Sequence, residues 1–136
     1  MTTAVDSSVL LDIFGSDTRF GPRSKEGVRL SLSEGRLMAC DVVWAEVASF
    51  FPSPAAAEDA MSVLGVEYDP ILQPAALAAA GVWKTYRARG GKRERVVADF
   101  LIGAHALTQA DRLLTRDRGF YRAYFGRLRV LDPAQF

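Results

Sequence analysis

The feature that most constrains this chain is an alternation. Short apolar runs, each too brief for a stable helix, are separated by longer stretches with helical spacing. Thr2-Thr3-Ala4-Val5 reads as a short buried strand closed by Asp6. Ser7 and Ser8, good capping types, then precede Val9, Leu10, Ile13 and Phe14 at near-helical spacing, and Gly15-Ser16-Asp17 ends that helix. Residues 20–35 read as a loop marked by Gly21-Pro22 and then a helix contributing Val28, Leu30 and Leu32. Arg36-Leu37-Met38-Ala39-Cys40 is a second strand, and Asp41 a plausible cap for a helix over 42–51. Pro52-Ser53-Pro54 breaks the chain, a helix resumes over 55–64, and Gly65 stops it. Val66 to Asp69 is a third strand, and Pro74 opens a long alanine-rich helix to about Ala88. Arg112 to Thr115 reads as a fourth strand, 116–119 as a turn, 120–125 as a short helical turn and 128–131 as a fifth strand. Strands alternating with helices predict an α/β fold: a mainly parallel sheet covered on both faces, a three-layer α/β/α sandwich. No repeat or linker divides residues 1–136, which read as one domain.

Composition narrows the classes. With 49% hydrophobic and 24% charged residues the chain can build a core and is not a disordered sequence. No basic start leads into an early apolar run, and no apolar segment is long enough to span a bilayer, so a reducing cytoplasm is the expected setting. The single cysteine, Cys40, excludes an internal disulfide, and with one histidine there is no Cys/His metal site. The net charge of +1 hides a split: residues 1–83 hold 11 acids and 5 Lys/Arg, residues 84–136 hold 5 acids and 12 Lys/Arg. An anionic partner for the second half fits that asymmetry, and so does an arginine-rich solvated surface.

The chemistry is carried by acids. The stretch from Val96 to Leu107 is almost wholly apolar yet carries Asp99 in its first turn, off the broad apolar face and beside Gly103 and Ala106. Asp6 and Asp117 stand at or just after the carboxyl ends of two predicted strands, where open α/β sheets gather ligands. Glu46 and Asp99 lie near the starts of helices that the same edge can receive. Four carboxylates in one cleft repel one another, and a divalent cation resolves this. Oxygen ligands without thiolate suit a hard ion, Mg²⁺ or Mn²⁺, which would activate water and stabilise charge on a phosphoryl oxygen. Thr115 and Ser8 could position a water or a carboxylate by hydrogen bonds. The basic loop with Arg89, Lys92, Arg93 and Arg95, and Arg116 and Arg118 after the fourth strand, would hold a phosphate backbone. Metal-dependent hydrolysis of a phosphodiester is the expectation.

Four segments carry a family resemblance: Ala4-Val5-Asp6-Ser7-Ser8; Val43-Trp44-Ala45-Glu46-Val47; Ala98 to Ala106 around Asp99; and Leu113-Leu114-Thr115-Arg116-Asp117-Arg118-Gly119-Phe120-Tyr121. Together they resemble the PIN-domain ribonucleases, most closely the VapC-type toxins of bacterial toxin–antitoxin pairs. The resemblance implies a PIN-like α/β/α domain with Mg²⁺- or Mn²⁺-dependent endoribonuclease activity. It implies metal-binding and catalytic roles for Asp6, Glu46, Asp99 and Asp117, with Thr115 at the hydroxyl position of the last segment. It also implies an RNA substrate, tRNA among the candidates, a homodimer, and a small antitoxin partner whose tail occupies the acidic groove. Asp41 departs from the family pattern, where Ser or Thr is common, and adds an acid near Glu46.

Other residues read more simply. His105 lies about 120° around the helix from Asp99 and is expected as a packed or hydrogen-bonded histidine. Trp44 and Trp83 read as core or interface, Asp12 as a solvated helix acid, Asp17 and Asp111 as turn residues. Two alternatives stay open: a PIN-like module that binds RNA or protein without cutting, and a receiver-type signalling domain with Asp69 as phospho-acceptor. The second lacks a lysine near its last strand, since none follows Lys92.

Overall fold

The computed structural model describes residues 1–92 and 97–136. Five parallel strands, β1 (Thr2–Val5), β2 (Arg36–Ala39), β3 (Val66–Tyr68), β4 (Arg112–Leu114) and β5 (Val130–Leu131), form one sheet in the order β3-β2-β1-β4-β5. The helices between them are α1 (Ser7–Phe14), α2 (Gly21–Glu34), α3 (Asp41–Ala48), α4 (Pro54–Leu64), α5 (Gln73–Ala88), α6 (Val97–Gln109) and α7 (Arg118–Tyr124), with a 3₁₀ turn at Pro133–Gln135. The chain runs outward from β1 to β3 and then returns to β4 on the other side of β1. Right-handed crossovers therefore put α1–α4 on one face and α5–α7 on the other. This is the three-layer α/β/α fold expected from the alternation.

Coverage of both faces explains the strand sequences. Thr3, Ala4 and Val5 of β1, Leu37, Met38 and Ala39 of β2, and Arg112, Leu113 and Leu114 of β4 are all buried, so the central strands read as continuous apolar runs with little alternation. The buried Arg112 is the exception. It donates from Nε to Thr3 Oγ1 at 2.9 Å and pairs with Glu34 at 3.2 Å, fastening the amino edge of the sheet. Gly27 lets α2 lie close: a Cβ there would stand 2.9 Å from a Leu114 methyl of β4.

Several boundaries shift from the sequence expectation. Gly21-Pro22 begins α2, because proline's fixed φ suits a first turn as well as a loop. Asp41 lies inside the first turn of α3, with Cys40 at the cap position. Asp6 caps α1, so Ser7 and Ser8 are its first residues. Arg118 already belongs to α7, shortening the turn after β4.

The strand order also bears on the receiver alternative. Receiver-like sheets follow the order 2-1-3-4-5, and the observed order reverses between β1 and β4. The reversal opens a crevice above the carboxyl ends of β1 and β4, where Asp6 and Thr115 stand.

Candidate functional site

Asp6 follows the last residue of β1, and Thr115 follows the last residue of β4. The backbone N–H of Asp6 donates to Leu114 O at 3.0 Å, continuing the ladder one step past the strands. Extended at φ −80° and ψ 152°, Asp6 turns its side chain to cap α1, and Oδ1 accepts the Ser7 N–H at 2.8 Å. Oδ2 accepts the Thr115 hydroxyl at 2.7 Å, and Thr115 Oγ1 in turn accepts the Asp117 N–H at 3.0 Å. One hydroxyl thus joins the two strand ends and holds the carboxylate in a single orientation. Asp117 enters this network through its backbone and occupies the cap position of α7.

Two more acids reach the same crevice. Glu46 rises from α3, which packs against α1 and α6. Its Oε1 accepts the Ser7 hydroxyl at 3.2 Å, and that hydroxyl also lies 3.5 Å from Asp6 Oδ1. Asp99 stands in the first turn of α6, whose dipole favours an anion there. Burial pushes the Asp6 carboxyl up to about 6, against the hydrogen bonds from Thr115 and Ser7, and the charges of Asp99 and Glu46 push it further. Glu46 is also raised, first by partial desolvation, with Ser7 opposing and Asp99 adding.

The structure therefore brings Asp6, Glu46 and Asp99 into one electrostatic field, with Thr115 and Ser7 as the hydroxyls that tie it together. Among the described residues no arginine or lysine pairs with Asp6 or Glu46. A buried carboxylate facing two others, with oxygen donors only, fits a hard divalent cation. Among the described residues, no three metal-ligating side chains already converge on one point.

The remaining sequence-nominated residues divide. Ser8 does not position the cluster: its buried hydroxyl has no partner among the described residues, and Ser7 does that work one residue earlier. The signal in the sequence for Ser7 is its place in the first turn directly after Asp6, whose carboxylate caps that turn. Asp41 Oδ1 accepts the Ile71 N–H at 3.4 Å, so its one described bond runs to the segment before α5 and not to Glu46. Asp12 is not solvated. It is 5% exposed and gripped by Arg116 at 2.7 and 3.0 Å, with Ser24 donating at 2.9 Å. Arg116 is thus committed within the fold, and its guanidinium lies 4.0 Å from the centre of the Phe20 ring. Arg118 lies 3.6 Å from Asp132. Arg89 closes α5 and lines a cleft with Ala123 and Tyr124 of α7, while Lys92 is exposed and its carbonyl accepts the Tyr86 hydroxyl. Arg93 and Arg95 lie outside the described residues.

His105 is 1% exposed and shares a hydrogen bond with Asp69 at 2.9 Å, as expected of a packed histidine. The same Asp69 oxygen accepts from Gln109 at 2.9 Å. Asp69 thereby anchors the end of β3 to α6, a structural use at odds with a phospho-acceptor.

The family model described as PIN domain matches residues 3–126. No curated protein sequence matches significantly. Among solved structures the chain is similar to VapBC-1 from nontypeable Haemophilus influenzae, with TM-score 0.76 and 16% identity over 98% of this chain and 99% of that one. It is similar to VapBC2 from Rickettsia felis, solved bound to a DNA fragment from its promoter, with TM-score 0.74 and 14% identity over 97% and 98%. A third match is FitAcB from Neisseria gonorrhoeae, with TM-score 0.69 and 17% identity over 98% and 99%. Among the described residues no helix is long and apolar enough to cross a membrane.

Proposed function

The chain belongs to the PIN-domain family, and from that premise we propose that it is a Mg²⁺- or Mn²⁺-dependent endoribonuclease acting as the toxin of a toxin–antitoxin pair. The observation that carries this reading is Asp6: a buried carboxylate at the switch point of a parallel sheet, fixed by Thr115 and Ser7, with Asp99 and Glu46 around it. Residues 1–136 form one such domain in this reading.

Asp6 and Asp99 hold the cation, with Glu46 and Asp117 completing the acidic set. The ion supplies an activated water and charge stabilisation at the scissile phosphoryl group. Thr115 keeps the Asp6 carboxylate aimed and compensates part of its charge by a 2.7 Å hydrogen bond. The Ser7 hydroxyl donates to Glu46 and its N–H donates to Asp6, so that one residue places both acids. The raised state of Asp6 makes cation binding compete with a proton near pH 6.

The matched structures include VapBC proteins and a toxin–antitoxin complex. A small antitoxin, a homodimeric assembly, an RNA substrate with tRNA among the candidates and a cytoplasmic setting belong to the same reading.

The test is cleavage of a panel of tRNAs and structured RNAs by purified protein with Mg²⁺, with Mn²⁺ and with EDTA, beside Asp6→Asn and Asp99→Asn. Cleavage that needs metal and disappears in both variants is expected. Binding of RNA without cleavage under any metal would favour the non-cutting module, and cleavage in EDTA would remove the metal from the account.

A further inference from the structure

A second cleft opens beside the acidic crevice, over the carboxyl ends of β4 and β5. Its volume is about 410 Å³, and Arg19, Phe20, Arg23, Arg116, Asp132, Pro133 and Ala134 line it. Three guanidinium groups line it, and of these Arg116 is already paired with Asp12. The cleft belongs to the same sheet edge as the acids, because Arg116 directly follows Thr115, whose hydroxyl holds Asp6.

The arginines are positioned in advance. Arg116 is pinned by the bidentate Asp12 pair and lies 4.0 Å from the Phe20 ring centre. Arg19 lies 4.9 Å from the same ring. Arg23 donates from Nη1 to Ala134 O at 2.8 Å, which fixes its reach across the cleft. Asp132 is engaged elsewhere: it accepts the Ala134 N–H at 2.9 Å and lies 3.6 Å from Arg118. Among the described residues neither Arg19 nor Arg23 has a carboxylate partner. Arg19 and Arg23 therefore carry charge that the fold does not offset, beside the paired Arg116, and an anion with several acceptor oxygens offsets it. Arginine forks match a phosphodiester in charge and in geometry. Phe20 already carries two guanidinium groups, so its ring holds cations and does not offer a platform for a base.

We propose that the Arg19–Arg23–Arg116 cleft seats a backbone phosphate of the bound nucleic-acid strand, one step along from the phosphate cut at the acidic crevice. The inference rests on the nuclease reading and adds the direction in which the strand leaves the site, toward α2 and the end of β5. The contact is to backbone and not to a base, so the cleft contributes affinity without sequence preference.

The probe is a fluorescent single-stranded RNA of about 20 nucleotides of uridine, titrated by anisotropy against the full chain carrying Asp99→Asn, in EDTA, over a range of salt. Arg19→Ala/Arg23→Ala is compared in the same background, with Arg19→Lys/Arg23→Lys as the conservative control. Loss of the contacts to that phosphate is expected to weaken binding about tenfold and to flatten the log–log salt slope by about 0.7. The lysine pair is expected to restore the slope and part of the affinity. Thermal denaturation shows whether the alanine pair is folded, and Arg19→Ala alone, whose head lies over Phe20, gives part of the slope change if Arg23 proves structural. Unchanged affinity and slope in a folded alanine pair overturns the assignment while leaving RNA cleavage by the parent chain, and so the nuclease reading, untouched. No binding of the oligouridine by the parent overturns the assignment, and only failure to cleave the RNA panel with metal overturns the nuclease reading as well. A polyglutamate peptide that binds the parent and loses affinity in the alanine pair, while RNA does not, assigns the cleft to an acidic protein segment instead.

Discussion

Asp6 and Asp12 sit at the two ends of one short helix, and both are almost completely buried, at 7% and 5% exposure. Their surroundings could hardly differ more. Asp12 receives Arg116 on both oxygens and the Ser24 hydroxyl besides. Asp6 receives one hydroxyl and one amide, and it faces Asp99 and Glu46. An acid whose counter-charge is built into the fold serves the fold. One surrounded by further acids keeps a place for a cation from outside. Sequence position separates a strand-closing Asp6 from a helical Asp12, but only the fold shows that Asp12 is buried and paired with Arg116.

Several changes break or sharpen this contrast. The largest effect is expected at the open acid: Asp6→Asn or Asp99→Asn should lower RNA cleavage by on the order of 10³-fold, measured in single-turnover assays with saturating Mn²⁺. Next is the closed one. Arg116→Ala strands a buried carboxylate and is expected to cost about 3 kcal/mol in urea denaturation, reduced from the upper range because the arginine is partly exposed. Asp12→Asn keeps the shape without the charge and should cost less.

The opposite sign is expected for stability at Asp6. Its folded value, about 6, lies above the unfolded value of 3.8, so the ionised form is disfavoured in the folded state. Without metal, this group leaves the protein most stable below the unfolded value, and that stability is lost as pH rises through 6. Asp6→Asn should therefore stabilise the metal-free protein at pH 8 by about 1–2 kcal/mol, the amide keeping one acceptor for its neighbours. The gain should vanish near pH 4, as thermal denaturation across pH can show. Thr115→Val removes the hydroxyl that holds Asp6, and a fall of about tenfold in Mn²⁺ affinity is expected. The smallest change belongs to Ser7→Ala, which leaves Asp6 its backbone bond and loosens only the link to Glu46; a severalfold loss of cleavage is expected.

The sheet was legible because its central strands β1, β2 and β4 are short, mostly apolar runs with Asp or Gly beside them, and burial on both faces leaves no other use for them. The helix starts were less legible. Proline at Gly21-Pro22 serves a loop or a first turn equally well, and only packing on β4 decides. The acids at the strand ends could be named from sequence, since an acid closing a buried strand lacks a local reason. What could not be read is pairing between residues about a hundred positions apart. Arg116 and Asp12, or Thr115 and Asp6, meet only after β1 and β4 become neighbours, and no local pattern encodes that. For the same reason the sequence does not show that Asp12 grips Arg116, or that Ser7 is the serine whose hydroxyl reaches Glu46.

The measurement that bears most directly on the central claim is Mn²⁺ titration of the purified chain by calorimetry at pH 7.5, with Asp6→Asn and Asp99→Asn alongside. The account expects saturable binding in the parent chain and a loss of at least tenfold in each variant. Binding that is equal in all three proteins, or absent from the parent, would contradict it.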